Sequence, residues 1–243
     1  MLRLLSSTDT FPPLSEALRS PNGLVAAGGA LTVDWLLQAY SQGIFPWYCE
    51  GDPILWWSPS PRMVLAVENF RAHKSLLKRI RQWAQRQDIT LTIDTDFATV
   101  IQQCAAPRDG NNGTWILPEM IQAYIALHQA GYAHSFEVRC NSSLIGGLYG
   151  VSIGRMFYGE SMFTLQNDAS KVALAGLVHV LKRWDCPLID CQQKTRHLAS
   201  LGAAPLHREE FVSQLKQLTQ QSSPDWSTAM GKNLLVELRQ GIV

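Results

Sequence analysis

The chain has little charge and almost no imbalance in it. Asp, Glu, Lys and Arg make up 17% of its 243 residues, and 21 cations face 20 acids for a net charge of +1. A uniformly basic nucleic-acid coat is thereby excluded, although a local basic face is not. No run of about 18 uncharged apolar residues occurs, so no membrane span is expected, and the apolar start Met1–Leu5 is too short for a signal-peptide core. A cytoplasmic protein follows as the expectation. The cysteines, Cys49, Cys104, Cys140, Cys186 and Cys191, are odd in number and contain no C-x-x-C pair, which argues for reduced thiols. The histidines form no H-x-x-x-H cluster, so no metal site is expected. Repeats and low-complexity stretches are also missing, and with 46% hydrophobic residues the chain is too apolar for disorder. What remains is a globule of one or two domains with a sizeable core.

Residues 1–62 read as a small, loop-rich N-terminal domain. They are rich in Pro, Gly and Trp, and only Thr32–Gln42 is helical in pattern, with Val33, Leu36, Leu37 and Tyr40 on one face. Thr32 can cap that helix and Gly43 can end it. Residues 63–243 read as a larger unit. A strand at Met63–Val67, a basic helix at Phe70–Arg86, a strand at Ile89–Ile93 and a helix at Asp96–Cys104 lead to a loop, Ala106–Asn112. A helix from Pro118 to Gln129 follows, stopped by Gly131. Three strands, His134–Cys140, Ser143–Val151 and Arg155–Phe163, then form an antiparallel meander with turns at 141–142 and 152–154. Asn167 is a candidate cap for a helix at Ala169–Trp184, after which come a strand at Pro187–Gln192, a helix at Arg208–Gln217 and a polar tail. This order implies an α+β fold: the small N-terminal domain packed on a mixed sheet with flanking helices. The topology is similar to the GNAT-like, acyltransferase type.

Several residues stand out against this frame. Between Arg62 and Arg86, seven cations meet the single acid Glu68. On a helix Arg71, Lys74, Lys78 and Arg81 or Arg86 share a face opposite Leu76, Leu77, Ile80 and Ala84, either as a solvated surface or as a track for phosphates. Trp47 and Trp115 lie in loop segments where a base could stack on them, whereas Trp56 and Trp57 are as readily explained as packing for the N-terminal unit. The pair Gly146-Gly147 inside a strand marks close approach of a backbone or a ligand. Glu160 is a carboxylate in an apolar strand, costly unless it is paired or used. Cys191 lies between Asp190 and Gln192, but strand alternation points it away from both, against a cysteine nucleophile.

The segments Pro21-Asn22-Gly23-Leu24, Gly43-Ile44-Phe45-Pro46-Trp47, Leu55-Trp56-Trp57-Ser58-Pro59, Gly113-Thr114-Trp115-Ile116, Gly159-Glu160-Ser161-Met162-Phe163, Ala169-Ser170-Lys171 and Leu188-Ile189-Asp190-Cys191-Gln192, taken in this order, resemble the bacterial leucyl/phenylalanyl-tRNA–protein transferases over roughly residues 10–205. The resemblance implies an enzyme that takes Leu or Phe, and Met as a further candidate, from aminoacyl-tRNA and joins it to the N-terminal Arg or Lys of an acceptor protein. The product is an N-degron for proteolysis. It also implies that Trp47 and Trp115 hold the terminal adenosine. Leu148, Phe157, Met162, Leu174 and Ile189 would form the aminoacyl pocket, and Glu160, Asp190 and Gln192 the catalytic polar centre. Arg71, Lys74, Lys78, Arg79 and Arg81 would bind the tRNA acceptor stem. No cofactor and a monomeric state are expected. One departure is Leu148, where members of the family can carry Met, so the ranking of side chains could differ.

The expected chemistry is modest, because the ester is already activated and needs chiefly an aligned amine. Gln192 would accept a hydrogen bond from that amine, Asp190 would orient Gln192, and Glu160 would complete the network. Two other readings fit parts of the sequence. An acyl-CoA-dependent N-acetyltransferase would want a glycine-rich turn for pyrophosphate, but Thr164–Lys171 contains no glycine. An RNA-binding module without activity would use the basic helix and the tryptophans, but would leave Glu160, Asp190 and Gln192 without a purpose.

Overall fold

A computed structural model describes residues 2–107 and 114–241. Positions 108–112 of the expected loop and Gly113 of the Gly113–Ile116 segment lie outside the described residues, as does Met1. The N-terminal region forms its own small sheet from β1 (Arg3–Leu5), β2 (Leu24–Gly28), β3 (Phe45–Pro46) and β4 (Leu55–Trp57), in the order β1-β2-β4-β3. These strands are too short to show a period of two. Helix α1 (Val33–Ser41) begins as expected, with the Thr32 hydroxyl accepting from Trp35 N–H, and the chain leaves it through Gly43 at φ +77°. Trp56 is fully buried, meets Phe11 edge-on at 4.9 Å, and donates its indole N–H to the Gly28 carbonyl at 2.8 Å. Packing accounts for it, so it is not a surface for a base.

The rest of the chain builds β5 (Arg62–Ala66), α2 (Lys74–Trp83), β6 (Ile89–Ile93), α3 (Phe97–Ala105), α4 (Pro118–Gln129), β7 (Ala133–Cys140), β8 (Ser143–Ile153) and β9 (Met156–Thr164). It continues with α5 (Ala169–Arg183), β10 (Leu188–Gln192), α6 (Arg196–Ser200), β11 (Ala204–Leu206), α7 (Arg208–Thr219) and α8 (Leu235–Gly241). Seven strands pair in the order β11-β5-β10-β9-β8-β7-β6. Only β10 against β9 is parallel, so the sheet is mixed, and α5 with α2 and α8 covers one face while α3 and α4 cover the other. The α+β architecture with flanking helices is the one expected. Its apolar interior runs on from the N-terminal sheet through Tyr40 to Tyr124 and Tyr158.

Four local expectations need correction. The basic helix is shorter than its sequence pattern: α2 starts at Lys74, and Arg71 precedes it with its N–H on the Leu201 carbonyl at 2.9 Å. Asn167 does not cap α5, because Asp168 occupies that position at φ +73° without a capping side-chain bond. The hairpin after β8 turns at 154–155 rather than 152–154, since Ile153 still pairs with Met156. The tail is not a solvated strand of polar residues: Trp226 stacks on His134 at 3.9 Å, and Leu234, Leu235 and Leu238 are buried beside it. The Gly146-Gly147 pair is explained by packing, because a Cβ on Gly146 would lie 2.4 Å from Cβ of Ala169 at the start of α5.

Candidate active site

Strands β9 and β10 pair over only three residues, Met156–Tyr158 against Leu188–Asp190. Beyond that point both lose register. The ladder between β8 and β9 passes from Tyr149↔Ser161 to Gly150↔Gly159 and skips Glu160. Between β5 and β10 it passes from Val64↔Asp190 to Met63↔Gln192 and skips Cys191, and Gln192 sits at φ +54°. A bulge bends its strand and re-aims side chains. Here two bulges side by side bring polar groups together: Gln192 Nε2 donates to Glu160 Oε1 at 3.0 Å, and the Tyr124 hydroxyl donates to Oε2 at 3.0 Å. Tyr124 also shares a hydrogen bond with the Tyr40 hydroxyl. Burial pushes the Glu160 carboxyl up to about 7, against the pull of its tyrosine partners. The phenols of Tyr40 and Tyr124, buried beside that carboxylate, are held well above their usual range and remain protonated donors.

Asp190 lies one layer below. Arg62 grips it with two bonds, Nε to Oδ1 at 2.8 Å and Nη2 to Oδ2 at 2.6 Å, and both side chains are fully buried. The guanidinium also donates to the Gly43 carbonyl at 3.0 Å and lies 4.7 Å from the ring centres of both Phe45 and Phe211. This corrects one expectation: Arg62 is no part of a cationic surface. Asp190, its charge matched by Arg62, contacts Gln192, the residue it was expected to orient, through the backbone, with Oδ1 accepting the Gln192 N–H at 2.9 Å. That bond supports the left-handed conformation of Gln192 at the bulge.

Above this network opens a cavity of about 480 Å³, of the size that takes small ligands. Leu148, Met162, Leu174 and Ile189 line it as expected, Glu160 and Gln192 supply its polar groups, and Trp47 and Trp115 form part of its wall. Trp47 is 37% exposed and is steadied by Trp57, whose indole N–H donates to the Trp47 carbonyl at 2.6 Å. Phe157 is placed differently from expectation. It shares a face with Ile189, its pairing partner, but lies earlier on its strand, before the bulge, buried 5.9 Å from the Trp226 ring centre, and does not line the cavity. Cys191 lines it beside Ile189, two residues earlier on the same face, while Asp190 between them turns the other way; the bulge brings Gln192 round to the Cys191 face. Burial pushes the Cys191 thiol far above the usual range, which leaves almost no thiolate to act as a nucleophile at neutral pH.

Sequence reasoning missed Arg62 as a partner of Asp190, and Tyr40 and Tyr124 as donors to the centre. Tyr40 stood on the apolar face of a periodic helix and read as core, which by burial it is; only its hydroxyl gives it a second role. Leu177, His197 and Leu198 also complete the cavity wall without any signal in their spacing. Of the basic residues, Arg71, Lys74, Lys78 and Arg81 are exposed, whereas Arg79 leans across the ring of Trp83 and pairs with Asp168 at 3.5 Å. Among the described residues no group of three or more His, Cys, Asp or Glu could hold a metal ion, and no helix is long and apolar enough to cross a membrane.

The family model described as leucyl/phenylalanyl-tRNA protein transferase matches residues 64–216, and the model of that family's N-terminal domain matches residues 29–60. The leucyl/phenylalanyl-tRNA–protein transferase of Bordetella petrii is 54% identical over 229 residues, covering 92% of this chain and 90% of its own. That of Chromobacterium violaceum is 51% identical over 225 residues, covering 93% and 95%. Among solved structures, FemX overlaps 72% of this chain and 66% of its own at 10% identity and a TM-score of 0.44, a likeness too slight to bear on function. On the strength of its sequence relatives, the chain belongs to the leucyl/phenylalanyl-tRNA–protein transferase family.

Proposed function

We propose that this transferase moves Leu or Phe, and Met as a third side chain, from aminoacyl-tRNA onto the N-terminal Arg or Lys of acceptor proteins, marking them for proteolysis in the cytoplasm. The observation that carries the reading is the meeting of Glu160 and Gln192 in an apolar cavity whose wall includes two tryptophans. A terminal adenosine stacks against Trp47 and Trp115, and the aminoacyl side chain enters the space between Leu148, Met162, Leu174 and Ile189. Such a pocket accepts several apolar side chains, because one methylene distinguishes ligands by only about 1–3 kcal/mol. Arg71, Lys74, Lys78 and Arg81 bind the acceptor stem. In this reading residues 1–62 and 63–243 are two domains, the first contributing Trp47 and the second the polar centre.

In the reaction the acceptor amine attacks the ester carbonyl. A C–N bond forms, the C–O bond to the ribose breaks, and a proton from the amine passes to the departing ribose oxygen. An ionised Glu160 can only accept hydrogen bonds, so it holds the Gln192 amide by its NH₂ end and leaves the carbonyl end to accept from the amine. A protonated Glu160 could donate to that carbonyl and remove the acceptor. Asp190 acts as a positioning residue through the Gln192 backbone. Placement of the two substrates supplies most of the acceleration.

The test is transfer of labelled Leu or Phe from charged tRNA to a protein with a free N-terminal Arg. Incorporation is expected with the free terminus, and none with an acetylated terminus or with acetyl-CoA as donor. Binding of tRNA without any incorporation would reduce the chain to an RNA-binding module.

A further inference from the structure

A second cavity, of about 800 Å³, adjoins the first and shares Met162 and His197 with it. It opens over the start of α5, and one of its lining residues is Arg79 of α2, the helix that carries Lys74, Lys78 and Arg81. The cavity therefore lies between the tryptophan-lined pocket and the exposed cations. Its electrostatics are lopsided. Arg79 and Lys171 both turn to Asp168, at 3.5 and 3.0 Å, so two cations share one carboxylate and a positive charge is left over. All three side chains are partly exposed, at 33%, 38% and 19%, so an anion can reach them without unfolding anything. His197 adds no further cation: burial and the neighbouring Lys171 hold its pKa below the usual value. Beside the charges, Leu165 is 67% exposed and offers an apolar face, and the amides of Gln103 and Asn167 offer both donors and acceptors.

A surplus cation, an apolar platform and amide groups in one hollow suit a nucleotide, with a phosphate, a stacking base and polar base edges. We propose that this second cavity binds the nucleotide that precedes the terminal adenosine of the donor tRNA, with its phosphate between Arg79 and Lys171. The proposal rests on the reading of the first cavity as the aminoacyl-adenosine site. It gives the RNA a continuous course, from the tryptophans past Met162 and His197 to Arg79, and out along the exposed face of α2. Asp168 keeps the two cations paired when the cavity is empty, and the arriving phosphate takes over part of that pairing.

The experiment uses the full chain and amide-linked phenylalanyl-adenosine, which cannot be hydrolysed, either alone or extended at its 5′ side by one cytidylate. Affinities are measured by calorimetry at fixed salt. The extended compound is expected to bind the wild type about tenfold more tightly than the bare nucleoside, the scale of one added charge-assisted contact. Lys171→Ala and Arg79→Ala are expected to bind the bare nucleoside within about twofold of wild type and to lose most of the tenfold gain. Retained binding of the nucleoside also shows that each variant is folded. A gain that is absent in the wild type, or undiminished in both variants, overturns the proposal. Displacement of the cytidylate extension by acetyl-CoA, with the bare nucleoside left bound, also overturns it and assigns the cavity to a coenzyme-like pyrophosphate. Failure of the bare nucleoside to bind any form would instead sink the reading of the first cavity.

Discussion

Glu137 on β7 and Glu160 on β9 lie in the same sheet, and burial pushes both carboxyls upward. Their surroundings differ. Glu137 sits at a position of regular pairing, opposite both Thr92 and Gly147, and is fully buried. Thr92 and Thr95 donate to one of its oxygens at 2.9 Å and Ser135 to the other at 2.5 Å, so its acceptors are closed off by hydroxyls. Glu160 is the residue its ladder skips, and it lines an open cavity. An acid inside an apolar strand is therefore not by itself a sign of chemistry. The lost register and the adjacent space distinguish a site from a satisfied polar knot.

The largest effect should come from a third buried acid. Arg62→Ala strands Asp190 without its cation and is expected to cost about 3–5 kcal/mol in denaturant unfolding. A loss below about 1 kcal/mol would mean that Asp190 is as easily relieved as a surface acid. Next, Gln192→Ala should lower kcat on the order of a hundredfold with little change in tRNA affinity, as removal of an amine-orienting group predicts. Glu137→Gln should leave kcat within about twofold of wild type; a loss matching that of Gln192→Ala would erase the distinction between the two acids. Trp115→Ala should weaken binding of the adenosine end by about 1–3 kcal/mol, measured with the nucleoside alone.

The pH response of Glu160 has a definite sign. Its folded-state carboxyl is raised from 4.5 to about 7, so the fold favours the protonated form, and the stability this contributes is lost as pH rises through about 7. Glu160→Gln, uncharged at every pH, should gain stability on wild type between pH 6 and 8, on the order of 1 kcal/mol, while losing activity. Wild-type transfer should rise over the same range as the carboxylate forms; melting curves and rates on one pH series check both. A melting temperature that falls in the variant at pH 8 would contradict the burial argument. The smallest effect is that of Lys74→Ala or Lys78→Ala, each flattening the salt dependence of tRNA binding by a slope of about 0.7–0.9.

Much of this was legible in the sequence, for reasons that differ by region. The meander of β7, β8 and β9 and the helices α1, α4 and α5 follow from periodicity, with Thr32, Pro118 and Gly131 acting as punctuation. The small sheet of β1–β4 did not show, because strands of two to five residues give no usable alternation. The ends of α2 were misplaced because charged residues on both sides of the helix continue its pattern, while Arg71 is drawn into a backbone bond with Leu201. Glu160 and Gln192 could be picked out as polar residues in apolar strands. Their meeting could not, because it depends on one skipped residue in each strand. Gln192 joins Cys191 on one face because the bulge breaks the alternation there, whereas Phe157, on that same face, lies too far along its strand to reach the cavity. Arg62 was counted with its basic neighbours, since nothing local to it announces a partner as distant in the chain as Asp190.

The clamp around Arg62 also has a consequence in time. Its members are Gly43 and Phe45 from the N-terminal region, Asp190 beside the bulge, and Phe211 from α7. A chain made on the ribosome exposes its N-terminal parts first. Both tryptophans and most of the cavity lining thus emerge while the last side of the clamp is still unmade. Until residue 211 clears the exit tunnel, the Phe211 ring is missing from the guanidinium that steadies Asp190, and through it the backbone of Gln192. A chain that has not yet added α7 can therefore display the parts of the pocket without the full clamp behind its amide.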